Sequence, residues 1–156
     1  MQAATIRRIP LENLQVDLHN PRYDHRTSQR DTLTTIAHGK REKLINLAED
    51  IVDKGLNPSE LIIVTSSEEP DTFTVLEGNR RIAALKIVLS PSLLGSLNLS
   101  KSLVKRYKAL HDIAQNSLPT ELNCVVLSRE DANYWIQLKH TGENEGVGVV
   151  AWDGPA

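Results

Sequence analysis

Residues 61–89, LIIVTSSEEPDTFTVLEGNRRIAALKIVL, contain two apolar runs, a polar turn and an amphipathic stretch that together decide the fold. The β-branched run at 61–65 predicts a buried strand, and residues 73–76 predict a second strand that pairs with it in a hairpin. Gly78 breaks this pattern, and residues 81–89 then place apolar side chains at helical spacing. A hairpin that leads directly into a helix predicts a sheet with helices packed on it.

The flanking sequence predicts further elements of both kinds. These are strands at 6–9 and 121–127, a turn at 10–14, and helices at 32–38, 42–54, 103–114 and 128–139. Their order indicates an α/β (α+β) fold, in which residues 1–156 form one domain with a small mixed sheet flanked by helices. We expect the helix 42–54 to pack on the sheet, the 78–81 loop to lie at the mouth of a groove, and Trp135 to be in the core.

The composition limits the class of protein. Only six of the 156 residues are aromatic, so the core must be mainly aliphatic, and the formal net charge of −2 lacks the basic excess of most free-standing DNA-binding domains. The single cysteine, Cys124, is expected to be buried and gives no disulfide framework or zinc spacing. That cysteine usage and the absence of a long apolar run predict a cytoplasmic protein without a membrane partner. The ending soon after Trp152 indicates a domain boundary, with more protein following.

The chemistry concentrates in Leu76-Glu77-Gly78-Asn79-Arg80-Arg81, where a predicted strand turns into a helix. A glycine there lets the backbone approach a ligand, and a helix N-terminus attracts anions. Arg80 and Arg81 add bidentate donors for phosphate oxygens. Glu77 either orients one of these arginines or binds a metal that bridges to phosphate. The plainer alternative is a helix start with surface arginines and one ion pair.

The order of short motifs in this chain resembles the ParB/sulfiredoxin superfamily, in particular ParB N-terminal domains. Gly78-Asn79-Arg80-Arg81-Ile82-Ala83-Ala84 is similar to the family segment Gly-Glu-Arg-Arg-x-x-Ala. Upstream, Asn20-Pro21-Arg22 matches the family's Asn-Pro-Arg, and it is followed by a helix that ends at Gly55, then by Pro58 and a strand. The match covers most of residues 6–90, and residues 122–127 look like a later strand of the family.

The resemblance implies a nucleoside triphosphate, ATP or CTP, bound with Mg²⁺. It places the phosphates on Gly78, Asn79, Arg80 and Arg81, and it places Gly55 to Pro58 along the nucleotide. Arg22 lies in a loop that either approaches the nucleotide or faces solvent. Related sulfiredoxins carry a catalytic cysteine at this loop, whereas this chain has Asn79 there.

Two departures from the family pattern concern the acidic residues. The Glu of Gly-Glu-Arg-Arg is replaced by Asn79, and the acid comes one residue before the glycine, as Glu77, the candidate catalytic and metal-binding residue. The family's later Glu-Asn-x-x-Arg motif is not recognisable. In its place, His140, Thr141 and Gly142 either supply a second phosphate or metal shell or belong to a flexible surface loop.

Three functions compete on this evidence. The first is a nucleotide-binding module, with or without hydrolysis, in a DNA-related system such as plasmid, phage or defence machinery. DNA would then be contacted through a region outside this chain, and a homodimer is compatible with this reading. The second is a metal-dependent nuclease of the same superfamily, which would need several convergent carboxylates. The third is an interaction domain that has kept the fold and lost the ligand.

Overall fold

A computed structural model of the chain describes residues 4–18, 28–151 and 154. The strands in this part are β1 (Thr5–Pro10), β2 (Leu14–Gln15), β3 (Ile62–Ser66), β4 (Phe73–Glu77) and β5 (Glu121–Val126). The α-helices are α1 (Gln29–Gly39), α2 (Arg41–Lys54), α3 (Asn79–Leu89), α4 (Lys101–Ala114) and α5 (Arg129–His140). Two 3₁₀ helices cover Leu11–Asn13 and Pro91–Ser96.

The strands form one five-stranded, curled sheet in the order β1-β5-β3-β4-β2. β1 pairs with β5 and β3 with β4 in antiparallel fashion, whereas β5 with β3 and β4 with β2 are parallel. The predicted α/β fold with a small mixed sheet is therefore confirmed. The hairpin of β3 and β4 occupies the interior of the sheet, so the loop after β4 is held by a strand with neighbours on both sides.

Along the hairpin, buried side chains alternate with more exposed ones, as in strands that have one face in the core. Ile62 and Val64 are buried in β3, and Phe73 and Val75 are buried in β4. The register shifts between Ile63 and Val64, which is a bulge-like irregularity close to the end of β4. Leu76, the last apolar residue before the 78–81 loop, is also buried. This packing fixes the direction in which the chain leaves the sheet.

Several boundaries differ from the sequence-based expectation because a capping side chain or a distant partner decides them. α1 begins at Gln29 rather than residue 32, since the Ser28 hydroxyl accepts a hydrogen bond from the Asp31 N–H at 3.1 Å. β2 was expected as part of a turn, but Leu14 and Gln15 pair with β4, which lies far away in sequence. The Pro91–Ser96 helix was not predicted, because its Ser- and Gly-containing sequence resembles a loop.

α2 has most of its neighbouring backbone in the helices α3 and α4. The buried side chains of α2, Leu44, Ile45, Ala48 and Ile51, nevertheless join a core cluster that includes sheet residues. α3 is buried at most positions from Ile82 to Val88 and forms the centre of the helical layer.

The core is aliphatic, as predicted, and Cys124 is fully buried within it. The expectation that Trp135 belongs to the core is wrong, since its side chain is 45% exposed on α5. Only Ala132 of α5 is buried, so this helix contributes little to the core and Trp135 instead stacks edge-on against Tyr134. Within the described ranges, none of the helices has the length and apolar character needed to cross a membrane.

Candidate functional site

Gly78 joins β4 to α3 in a conformation that requires glycine. Its φ is +99° and its ψ is 18°, in the left-handed region, and it is the N-cap residue of α3. A Cβ built on Gly78 would collide with Cδ1 of Ile62 and would lie 3.1 Å from Nη2 of Arg81. The backbone at this turn is therefore packed closely against both side chains, and no side chain can be added without displacing them.

The first turn of α3 is fixed by the side chain of Asn79. Its Oδ1 accepts a hydrogen bond from the Asp17 N–H at 2.8 Å, and its Nδ2 donates to the Val75 carbonyl oxygen at 2.9 Å. No side chain among the described residues caps this helix at Gly78, whereas α1, α4 and α5 each begin with a capping serine. The amide of Asn79 thus orients the helix start, and the positive end of the helix dipole lies beside Gly78.

The two arginines that follow point to different neighbours. Arg80 is exposed, and its Nη2 donates to the Lys43 carbonyl oxygen on α2 at 3.0 Å. The Arg81 side chain is only 13% exposed, and its Nη1 donates to the Glu60 carbonyl oxygen at 3.1 Å. The same Nη1 lies 3.7 Å from the Glu60 carboxylate. Arg81 is therefore an anchor between α3 and the segment before β3, while Arg80 is the cation that solvent can reach.

A cavity of about 250 Å³ lies next to Arg81 and holds part of the predicted site. Its lining includes Leu56, Asn57, Pro58 and Arg81, so the turn after α2 and the start of α3 face the same space. Gly55 ends α2 with φ +84° and ψ −177° and is not among the lining residues. The cavity thus brings Pro58 and Arg81 together, while Gly78, Asn79 and Arg80 are not among its lining residues, and their phosphate contacts stay predictions.

Glu77 is held by two residues of the last turn of α5. Its Oε2 lies 3.0 Å from Nε2 of His140, and its Oε1 lies 3.6 Å from Nζ of Lys139. Lys139 also lies 4.0 Å from the Glu60 carboxylate, which connects it to Arg81 through Glu60. These side chains form a network of alternating charge, which we call the α5 ion network: Glu60, Glu77, Arg81, Lys139 and His140.

The α5 ion network determines the charge state of Glu77. The side chain is only 15% exposed, and burial by itself raises the pKa of its carboxyl group. The hydrogen bond to His140 and the positive charges of His140, Lys139 and Arg81 outweigh burial and hold the pKa below its ordinary value. Glu77 is therefore a carboxylate at neutral pH, and its oxygens lie close to Lys139 and His140 of α5 rather than to a hydrogen-bonded arginine.

Of the predicted residues His140, Thr141 and Gly142, the described contacts bring only His140, the last residue of α5, to Glu77. His140 contacts Glu77, whereas the hydroxyl of Thr141 donates to the Gln137 carbonyl oxygen and accepts from the Asn144 side-chain amide. Gly142 has φ +92° and lies in an exposed series of turns. Thr141 and Gly142 thus serve the local structure at the end of α5, and their predicted phosphate contacts stay predictions.

Sequence reasoning missed three charged residues of the site. Asp17 is buried, its N–H bonds to Asn79, and its carboxylate lies 3.6 Å from Nη1 of Arg129. Lys139 and Glu60 complete the α5 ion network. No local signal marks these positions, because each is brought to α3 by a segment distant in sequence. A basic pair at the end of a helix, Lys139-His140, was visible but is typical of any helix C-terminus.

The predictions for Arg22 and for metal binding are not supported by any of these contacts. Arg22 lies outside the described residues. For metal binding, no group of three or more His, Cys, Asp or Glu side chains suited to an ion occurs in residues 4–18 and 28–151. Because its carboxylate oxygens lie close to Lys139 and His140, Glu77 is not arranged as a ready-made metal ligand, and its assignment as metal-binding and catalytic stays a prediction.

No protein-family model matches the chain, and no curated protein is significantly similar to it in sequence. The resemblance to the ParB/sulfiredoxin superfamily thus depends on the order of motifs around residues 20–22, 55–58 and 78–84, and it stays a prediction.

Proposed function

We propose that this chain is a ParB-like module that binds a nucleoside triphosphate at the turn between β4 and α3. The observation that carries the proposal is Gly78, whose left-handed backbone opens α3 beside an exposed arginine and a cavity lined by Arg81 and Pro58. In a DNA-related system such as plasmid, phage or defence machinery, the module would act as a nucleotide-dependent switch. Contact with DNA would be made through another region or through a second copy of the chain.

Each part of the turn has a distinct role in this proposal. The start of α3 carries the positive end of the helix dipole, and such a helix start suits phosphate oxygens. Arg80 has a solvent-accessible guanidinium that can leave its single main-chain partner, the Lys43 carbonyl oxygen, for a phosphate. Arg81 uses one of its N–H donors on Glu60 and keeps its planar group at the cavity wall.

The acidic residues near the turn would repel a negatively charged ligand. Glu60, Glu77 and Asp17 repel phosphate unless their charges are neutralised, and in this structure Arg81, Lys139, His140 and Arg129 do so. Mg²⁺ enters the proposal as the counterion that accompanies ATP or CTP, because Mg²⁺ keeps several waters and is held largely by phosphate oxygens at such sites. The residues present supply no ready-made ligand set, so no catalytic step is assigned to the metal or to Glu77.

A nuclease is less well supported by these side chains. It would need convergent carboxylates, whereas Glu77 is paired with cations, and Glu143 and Glu145 lie in the exposed turns after α5. No observation favours it over nucleotide binding, and a metal-dependent plasmid-nicking assay would detect it directly.

A thermal-shift screen tests the proposed function. The four ribonucleoside triphosphates would be added at several millimolar, with and without Mg²⁺. A dissociation constant one hundred times below the ligand concentration stabilises the fold by about 2.7 kcal/mol. For a domain of this size that corresponds to an increase of roughly 5–10 °C in Tm. If none of the triphosphates raises Tm above an equal concentration of sodium sulfate, the nucleotide proposal fails.

A further inference from the structure

A second cavity lies against the other half of α3 and is unrelated to the Gly78 turn. It has a volume of about 870 Å³, more than three times that of the cavity beside Arg81. Its walls come from the Leu11–Asn13 helix, α1, the C-terminal half of α3, the Pro91–Ser96 helix and the start of β5. Small-molecule sites commonly have volumes of roughly 300–1,000 Å³ and apolar walls with a few polar groups.

The apolar part of this cavity consists mainly of leucines. Leu11, Leu33, Leu89 and Leu93 line it from four different elements. Leu11 and Leu33 belong to the buried core, and Leu89 and Leu93 are partly buried against that core. The cavity is therefore continuous with the hydrophobic core. An apolar molecule that enters it would leave water and contact aliphatic side chains.

Lys86 is the polar exception on this wall. It lies in α3 among residues that are nearly all buried, and its Nζ donates to the Leu11 carbonyl oxygen at 3.1 Å. Burial lowers the pKa of its ammonium group, and the nearby Glu12 carboxylate counters this in part. Lys86 is half-buried, so its ammonium group lies at an otherwise apolar wall within reach of a molecule in the cavity.

The cations that line the cavity outnumber its carboxylates that lack an ion pair, since Glu12 alone offsets Lys86 in part. Lys86 and Arg30 are the cations of the lining, and Glu12 and Glu121 are its carboxylates. Glu121 is already paired with Arg8 at 3.1 Å, while one of the three ammonium donors of Lys86 is used by Leu11. Lys86 and Arg30 therefore keep hydrogen-bonding capacity that an added anion can use.

We propose that this cavity is a second ligand site, which binds a small amphipathic carboxylate with its apolar body on the leucines and its carboxylate on Lys86 and Arg30. The site does not depend on nucleotide binding at Gly78. Lys86 follows Arg80 by six residues, which is roughly 9 Å along the helix axis and about 240° around it. The two sites thus use different faces of α3.

Titration calorimetry with octanoate, octylamine and octanol, supported by amide chemical shifts, tests this proposal with the full chain. Octanoate should bind and shift amides of α1, α3 and the Pro91–Ser96 helix, while octylamine should bind about tenfold more weakly or not at all. Lys86→Met retains the length and apolar stem of the side chain, and it should weaken octanoate about tenfold without affecting octanol.

A second variant keeps the test independent of the stability of Lys86→Met. Leu93→Glu places a negative charge at the edge of the cavity, so it should reduce octanoate binding and leave octylamine binding unchanged or stronger. Equal affinity for octanoate and octylamine, unchanged octanoate binding in both variants, or no binding of octanoate at 20 mM (about −2 kcal/mol) would each overturn the proposal.

Discussion

Replacing Gly78 with alanine tests the geometry of the turn between β4 and α3. The structure gives two separate costs in the free energy of unfolding, backbone strain and steric overlap. An alanine at φ +99° in the left-handed region costs roughly 1–2 kcal/mol of backbone strain. Its Cβ also overlaps Cδ1 of Ile62, a buried core residue, and forcing such a side chain aside costs roughly 1–3 kcal/mol. Gly78→Ala should therefore destabilise the fold by about 2–5 kcal/mol.

Alanine substitutions at two other glycines separate backbone strain from steric overlap, with the free energy of unfolding measured by urea denaturation. Gly39→Ala adds a methyl group in open space at the end of α1 without positive φ, so it should be neutral or stabilise by about 0.4–1 kcal/mol. Gly55→Ala also meets no atom within 4 Å but has φ +84°, so it should cost the strain alone, about 1–3 kcal/mol.

A double-mutant cycle isolates the contact with Ile62. Ile62→Val deletes the Cδ1 atom that the new methyl group would strike, so Gly78→Ala should cost about 1–2 kcal/mol less in that background. If the cost of Gly78→Ala is unchanged by Ile62→Val, the close packing described for the turn is incorrect.

Three further predictions concern the ion network, a helix cap and the cysteine. Because the folded pKa of Glu77 lies below its ordinary value of 4.5, its contribution to stability is present above that value and is lost as the pH falls through the folded pKa. The difference in Tm between wild type and Glu77→Gln should thus shrink between pH 6 and pH 3, and a difference that stays constant would contradict this. Ser100→Ala should cost about 1 kcal/mol in urea denaturation, because the Ser100 hydroxyl accepts from the Leu103 N–H, while the exposed neighbour Ser102→Ala should change stability by less than about 0.5 kcal/mol. Burial raises the pKa of the Cys124 thiol to about 11, so labelling by a disulfide reagent at pH 8 should be slow in the native protein and accelerate with denaturant; immediate labelling would show that the strand is open.

The fold was predictable where side-chain periodicity is local. The hairpin of β3 and β4, the helices α2 and α4, and the glycine between β4 and α3 all follow from patterns within about fifteen residues, a length over which apolar spacing is informative. The capping serine of α5 was also visible, as Ser128 precedes its helix by one residue and accepts from the Asp131 N–H.

The remaining features depend on contacts between distant segments. β2 forms only because Leu14 pairs with Phe73, and a two-residue strand leaves no periodic signal. Trp135 was expected in the core, but α5 has a single buried residue and leaves the indole exposed. Hydrophobicity of one residue cannot reveal how deeply its helix is packed.

The candidate site also combines features that a local sequence pattern predicts with features that depend on distant segments. Its loop was proposed from the sequence, because a glycine and two arginines at a strand-to-helix turn form a local pattern with a known physical use. The unlike roles of Arg80 and Arg81 were not predictable, since they depend on the Lys43 and Glu60 carbonyl oxygens. The link from Glu77 to α5 spans 63 residues and required the folded chain.

The central claim, that the start of α3 holds the phosphates of a nucleoside triphosphate, is tested most directly by calorimetric titration of three proteins. Wild type, Arg80→Ala and Lys108→Ala would be titrated with the triphosphate that raises Tm most, in the presence of Mg²⁺. Lys108 is an exposed cation of α4 and serves as the matched control for loss of one positive charge.

We predict a wild-type dissociation constant between micromolar and millimolar, about −8 to −4 kcal/mol. Arg80→Ala should weaken binding by about tenfold or more, because a charge-assisted hydrogen bond contributes roughly 1.5–3 kcal/mol, and Lys108→Ala should match wild type. Equal binding by all three proteins, or no heat of binding in wild type, would contradict the account.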